Sequence, residues 1–363
     1  MNTSSPTESL LSSRFRISTW KAPLPLTEDQ RKWTQVVREK LETKELEVTP
    51  QKCPCHHSDK SKKDIKISEI DRYGLPLNTV YCSACGTLRI DPYLTNDSLS
   101  TFYRLYYQQM YGRTVQLDGL FANQRVYGKK ILDIYKSTLP DAATILEIGC
   151  GTGGALKVFS ESGFNVAGCD YSEKLISYGR QFEGLNKIQN SSIDEFLDNF
   201  QGKADLIYLH HVFEHLNNLD TALEALKKAL NPSGRVLIIV PNVYEISEYA
   251  YPAGDLLLYL HIAHKYNFSS QCLKILGRRS GLDFQLFKIH SKAPEYWGEF
   301  STSDLQTKQG IENQKVENLD YFIKTEKLFS LGLTKGQIKK GLNDLFLFPR
   351  AVAKKSMDLF NRL

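Results

Sequence analysis

The stretch "YLHHVFEHLNN", residues 208–218, sets His211, Glu214 and His215 in the order H-x-x-E-H. On one continuous helix that spacing turns all three side chains to a single face, where two imidazoles could hold zinc and the carboxylate could act as a base in hydrolysis. Off a helix the same residues suit different chemistry. His215 or His211 could take a proton while Glu214 orients the ring, because an unperturbed imidazole titrates near neutral pH. Alternatively, His211, Glu214 and His215 could join His264 around a divalent ion that polarises a hydroxyl. The flanks argue against the helix: "ADLIYLHH" reads as a strong strand, and the next helical pattern starts nearer Asn217.

A second group lies upstream. "LEIGCGTGG" places Gly149, Cys150, Gly151 and Gly153 between an apolar strand and a helix start. Glycines there let the backbone turn sharply and approach a ligand without Cβ atoms in the way. Asp170, followed by Tyr171, ends the next strand 21 residues after Gly149, where an acid accepts hydrogen bonds from ribose hydroxyls. Glu147, in the strand leading into the loop, is unwelcome beside a pyrophosphate and suits a cationic nucleoside ligand instead.

Four of the seven cysteines form a third group. Cys82-x-x-Cys85-Gly is a zinc-knuckle spacing, and "KCPCHHSD" offers Cys53, Cys55, His56 and His57 for the two remaining positions of a tetrahedral structural zinc. Cys150, Cys169 and Cys272 fall in apolar segments as small core residues.

The elements that must position these groups follow from periodicity. Residues 1–26 are polar and read as a loose arm; Thr27 caps a helix, and the cysteine unit follows. From Ala143 short apolar strands alternate with helices, one of which Ser172 could cap and another of which ends in a Pro-Ser-Gly turn. Such alternation predicts an α/β, Rossmann-like, doubly wound sheet. The aromatic insertion "VYEISEYAYPAGDLLLYLHIAHKYN" interrupts it just after a strand's C-terminal end, where open sheets bind ligands. The expected divisions are 1–49 (arm and helix), 50–95 (zinc-ribbon-like unit), 96–140 (helical linker or substrate cap), 141–292 (the sheet domain) and 293–363 (a mostly helical extension).

The residues around Gly149 are similar to motif I of class I S-adenosylmethionine-dependent methyltransferases, and Asp170 matches their ribose-binding acid. "NSSIDEF" falls where that family contacts adenine, which implies Ser192 and Ile193. "DLIYLHHVFEHL", with His210, and "GRVLIIVPN" match the two following motifs. The likeness covers roughly residues 127–290 and implies a seven-stranded sheet whose last strand is antiparallel; no segment stands out as that strand. The H-x-x-E-H stretch resembles the E-x-x-E-H pattern of ubiquinone-pathway and small-RNA 2′-O-methyltransferases, with His211 where those families place a glutamate. In the latter a further histidine arrives from a segment similar to "HKYNFSS". "YCSACGTLRIDPYLTNDSLSTFYRLYY" resembles the N-terminal zinc-binding region of bacterial sugar and surface-polysaccharide methyltransferases. Their C-methylating members carry a sizeable further α/β domain, and 73 residues follow His290 here, so O-methylation of a saccharide is the expected chemistry. Methylation of RNA ribose or of a quinone precursor competes with it, as does a partner-binding protein built on the same scaffold.

Composition narrows the setting. A net charge of +5, dispersed rather than striped, gives no strong nucleic-acid signal. No apolar run is long enough for a transmembrane segment, and the N-terminus lacks a signal-peptide core, so a cytoplasmic protein is expected. The terminal "LFLFPRAVAKKSMDLFNRL" reads as a packed helix, with weak membrane or partner contact as the alternative.

Overall fold

The computed structural model describes residues 7–8, 10–58, 63–111, 116–287, 289, 291–302 and 317–346. The expectations for residues 347–363 lie outside them. The N-terminal part comprises β1 (Thr7–Glu8), α1 (Glu28–Glu42), β2 (Val48–Thr49), β3 (Asp64–Ser68), β4 (Thr79–Cys82), β5 (Leu88–Ile90) and β6 (Tyr93–Leu94). The helices α2 (Asn96–Leu105), α3 (Tyr107–Tyr111) and α4 (Leu117–Tyr135) follow. The alternating part runs β7 (Thr144–Ile148), α5 (Gly154–Glu161), β8 (Asn165–Asp170), α6 (Glu173–Gly179), β9 (Ile188–Asn190), α7 (Ile193–Leu197), β10 (Ala204–His210), α8 (Leu219–Ala229) and β11 (Leu230–Pro241). It continues through β12 (Tyr266–Asn267), α9 (Ser270–Arg279), β13 (Asp283–Phe287) and β14 (Glu295–Ser301) to α10 (Leu319–Ser330) and α11 (Lys335–Phe346).

The seven-stranded sheet has the order β13-β14-β11-β10-β7-β8-β9, parallel except for β14, which runs antiparallel to both neighbours. Its central strands are apolar on both faces because helices cover both. Leu146, Ile148, Leu209 and Ile238 pack on one side, and Ile145, Leu206, Tyr208 and Ile239 on the other. β14, the strand the sequence does not reveal, lies past residue 292, so the sheet extends beyond the expected boundary. The Pro-Ser-Gly segment is a bulge inside β11 rather than a helix-ending turn: Ala204 pairs with Leu230 and Leu206 with Arg235.

The five-stranded sheet, β1-β3-β4-β5-β12, joins the cysteine unit to the insertion, since β12 pairs antiparallel with β5. The N-terminal arm is docked, contrary to expectation. Phe15 is fully buried and Arg14 pairs with Asp255 of the insertion and Glu326 of α10. These partners stand far away in sequence, which local polarity could not show.

Candidate active site

β7 delivers Glu147 and then the glycine loop to the C-terminal edge of the sheet. Gly149 and Gly151 adopt left-handed φ values of 72° and 56°, and a Cβ on Gly149 would lie 2.4 Å from Val212 Cγ2. Gly153, also left-handed, caps α5. Gln124 of α4 clamps the loop from above: its Nε2 donates to the Cys150 carbonyl at 2.9 Å, and its Oε1 accepts from the Thr152 hydroxyl and the Gly154 amide.

Asp170 ends β8, and its Oδ2 accepts the Gly151 amide at 2.9 Å. Its Oδ1 accepts the Ser172 amide at 2.8 Å, which fixes the turn into α6, and Ser172 itself makes no side-chain cap there. Burial raises its pKa, opposed by those two amides. Tyr171 beside it is 76% exposed. Ser192 closes a capping box with Glu195, and Ile193 opens α7. Glu147 is buried, accepts the Tyr208 hydroxyl at 2.8 Å, and has its carboxyl pushed well up by burial. It therefore sits beneath the loop as an interior group, not at an open ligand face.

β10 ends at His210. His211 takes a left-handed φ of 54°, and Phe213–His215 form a single 3-10 turn instead of a helix. Phe213 is wedged between Phe268 and Phe300, and this fixes the turn. The hydrolytic zinc helix is thus absent. His210 lies between the rings of Tyr127 and His211, with Nε2 buried and unpartnered. Burial, and then the neighbouring His211 charge, push it down to about 3, which keeps it neutral.

His211 is held by two carboxylates, Glu214 at 3.2 Å and Glu295 of β14 at 3.1 Å. Burial opposes its charge, but the two acids hold its pKa up at about 10. Glu295 also accepts from Tyr127, Ser291 and Trp297. His215 differs. Its Nδ1 lies 2.5 Å from the Ala263 carbonyl, an acceptor only, so Nδ1 donates there and Nε2 is the nitrogen left for other partners. That Nε2 stands 3.9 Å from Glu214 Oε1, as does His264 Nε2. Glu214, His215 and His264 have donor atoms within 4.8 Å of one another, and Glu214 Oε2 is buried with no partner. His211 stands outside that trio because both its nitrogens are taken.

The cysteine unit carries the far wall. Tyr93 donates to the Ile262 carbonyl at 2.9 Å and Asp71 Oδ2 accepts the Ile262 amide at 3.1 Å, which hold the turn bearing His261 and His264. Tyr103 of α2 reaches His215 at 3.2 Å. Of the insertion's aromatics, Tyr244 and Tyr266 are core residues. Sequence reasoning missed Glu295, Gln124 and His261. Only His261 left a signal, as the first histidine of "LHIAH".

Cys53, Cys55, Cys82 and Cys85 are all buried, with Sγ–Sγ distances of 3.4 Å (53–55), 3.5 Å (53–85) and 3.8 Å (55–82). Thiolates at 2.3 Å around a tetrahedral zinc stand roughly 3.8 Å apart, so the four sulfurs fit that ion. Hydrogen bonds from Cys53 and Cys55 lower Cys82 to about 7. His56 does not join them; its exposed ring faces Asp220 at 3.8 Å. His57 lies with Asp64 at one flank of Cys82. Cys272 of α9 touches Cys53 and Cys85 as a fifth thiol that spacing did not suggest.

The strand order, the glycine turn and the terminal acid of β8 define a Rossmann-like class I methyltransferase fold. Residues 121–284 match the family described as a methyltransferase domain. The chain is 25% identical over 175 residues to the C-methyltransferase NovU of Streptomyces niveus, covering 47% of this chain and 39% of that protein. It is 30% identical over 126 residues to the putative methyltransferase YqeM of Bacillus subtilis, covering 31% and 48%. It is 26% identical over 132 residues to a ubiquinone biosynthesis O-methyltransferase of Aromatoleum aromaticum, covering 35% and 50%. The chain spans half or less of these relatives' length. The match and these relatives support an S-adenosylmethionine-dependent methyltransferase reading of residues 121–284. Among the described residues no helix is long and apolar enough to cross a membrane.

Proposed function

We propose that the chain moves a methyl group from S-adenosylmethionine to a hydroxyl of a saccharide, with His215 as the base. The observation that carries this reading is the contact of His215 Nδ1 with the Ala263 carbonyl, which leaves Nε2, beside Glu214, to meet an acceptor hydroxyl. The donor supplies a methyl already activated on a sulfonium. Asp170 has acceptor capacity left for ribose hydroxyls after its two amide bonds, and Tyr171, Ser192 and Ile193 border the adenine side. Gly149, Cys150, Gly151 and Gly153 let the backbone approach, with Glu147 and His210 beneath and beside them. As the acceptor oxygen attacks and the carbon–sulfur bond breaks, His215 Nε2 takes the hydroxyl proton and Glu214 stabilises the imidazolium. Tyr103 and Tyr107, both only partly buried, offer rings to a sugar.

The trio Glu214, His215 and His264, with its orphaned Glu214 oxygen, supports a second reading in which a divalent ion polarises the hydroxyl. Cys53, Cys55, Cys82 and Cys85 would hold a structural zinc. Calorimetry with S-adenosylmethionine tests the donor site. Labelled-methyl transfer to a panel of nucleotide-sugars and oligosaccharides tests the acceptor, and product analysis separates oxygen from carbon methylation. A chain that binds no donor would be a partner-binding scaffold instead.

A further inference from the structure

Arg72 stands in the turn between β3 and β4 and is partly exposed. Its Nη1 donates to the Leu258 carbonyl at 3.0 Å and its Nη2 to the Tyr73 hydroxyl at 2.8 Å. The guanidinium lies over two rings, 4.8 Å from the centroid of Tyr73 and 5.1 Å from that of Tyr111. These contacts fix its orientation, and the neighbouring Asp71 favours its charge only through space, without a hydrogen bond to the guanidinium. Among the described residues no carboxylate pairs with it, and its Nε is buried without a partner. The adjacent acid is spent elsewhere: Asp71 Oδ1 accepts the amides of Tyr73 and Leu75, and Oδ2 that of Ile262. Arg14 and Arg89 behave differently, since each pairs with two carboxylates, Asp255 and Glu326 for the first and Asp64 and Asp91 for the second.

A largely desolvated cation costs free energy unless an anion meets it. A planar fork with spare N–H groups matches the two oxygens of a phosphate or carboxylate. The position links this fork to the candidate active site. Tyr111, which stacks on Arg72, is hydrogen-bonded to His261 at 2.6 Å, and the His261 ring lies 3.7 Å from that of His264. Tyr259 lies within electrostatic reach of both Glu295 and Arg72. We infer that Arg72 binds an anionic oxygen group, phosphate or carboxylate, carried by the acceptor whose hydroxyl meets His215. The inference rests on the methyl-transfer reading for the acceptor's role, while the binding itself is measurable without turnover.

The test is calorimetry on the full chain, without methyl donor, using three probes: UDP-glucose for the phosphate arm, glucuronate for the carboxylate arm, and neutral methyl glucoside as reference. At least one anionic probe should bind, and Arg72→Gln should weaken it by about tenfold or more, as expected for a charge-assisted hydrogen bond. Methyl glucoside should respond equally in both proteins. Arg72→Lys, which keeps the charge and loses the fork, should fall between them, and it carries the test if Arg72→Gln melts at room temperature. Should neither anionic probe bind the unmodified chain, or should both variants bind as well as it does, Arg72 is a brace for the insertion and the inference fails. Failure of S-adenosylmethionine to bind the unmodified chain would instead sink the methyl-transfer reading and leave the Arg72 result standing.

Discussion

His211 Nε2 lies 3.1 Å from Glu295 Oε1, across the joint between the end of β10 and the start of β14. With Glu214 on its other nitrogen, His211 is held between two carboxylates that favour its charged form. Of the H-x-x-E-H stretch, the first histidine is thus engaged at both nitrogens, and the last is the one proposed as base.

This pair gives a pH signature. The folded value of His211 is raised from 6.5 to about 10 and that of Glu295 lowered from 4.5 to about 2. The stabilisation is full between the two unperturbed values, from 4.5 to 6.5, and is largely kept at neutral pH. It is lost as pH rises through about 10, and at the acid end as pH falls through about 2. Glu295→Gln should cost about 1–3 kcal/mol near neutrality, below the range for a fully buried pair because solvent reaches the edge of His211. Thermal melts at neutral and strongly alkaline pH check it: the gap between the two proteins should narrow in alkali, and a widening gap would refute the assignment.

The four-sulfur cluster predicts that the purified chain carries close to one zinc. Cys82→Ser and Cys55→Ser should each lose it and melt earlier, while His56→Ala should keep it. Elemental analysis of the three variants decides. A second metal that survives Cys82→Ser would favour the ion-assisted reading at Glu214, His215 and His264.

Asp170→Ala removes both the ribose acceptor and the tie between the glycine loop and β8. Affinity for S-adenosylmethionine should fall by about tenfold or more in calorimetry, as for other charged hydrogen-bond acceptors. Unchanged affinity would mean that the donor does not use this edge of the sheet.

His215→Ala should leave donor affinity nearly intact and lower turnover by about a hundredfold to ten-thousandfold, the usual worth of a positioned base. Equal loss of donor binding and turnover would reduce His215 to a brace for the Phe213–His215 turn.

The donor end was legible because its chemistry is local: a strand, left-handed glycines, a helix start and an acid one strand later. The seventh strand was not. β14 carries the side chains of Glu295 and Glu299 in buried positions, a pattern no strand template admits, and both are satisfied by distant partners, Tyr127 and His211 for one and Tyr135 for the other. His56 misled through spacing. It sits three residues from Cys53, but a left-handed φ of 48° sends its ring outward, and Cys55 turns inward in its place. The trio around Glu214 was half readable, since the histidine pairing depends on a turn held by Asp71 and Tyr93, far upstream.

The pairing of β12 with β5 makes the cysteine unit a load path rather than an ornament. His264 lies two residues before β12, and β5 begins three residues after Cys85. A zinc held by the four thiols would therefore brace the turn that carries His264, and its removal should loosen that turn while the seven-stranded sheet stays folded.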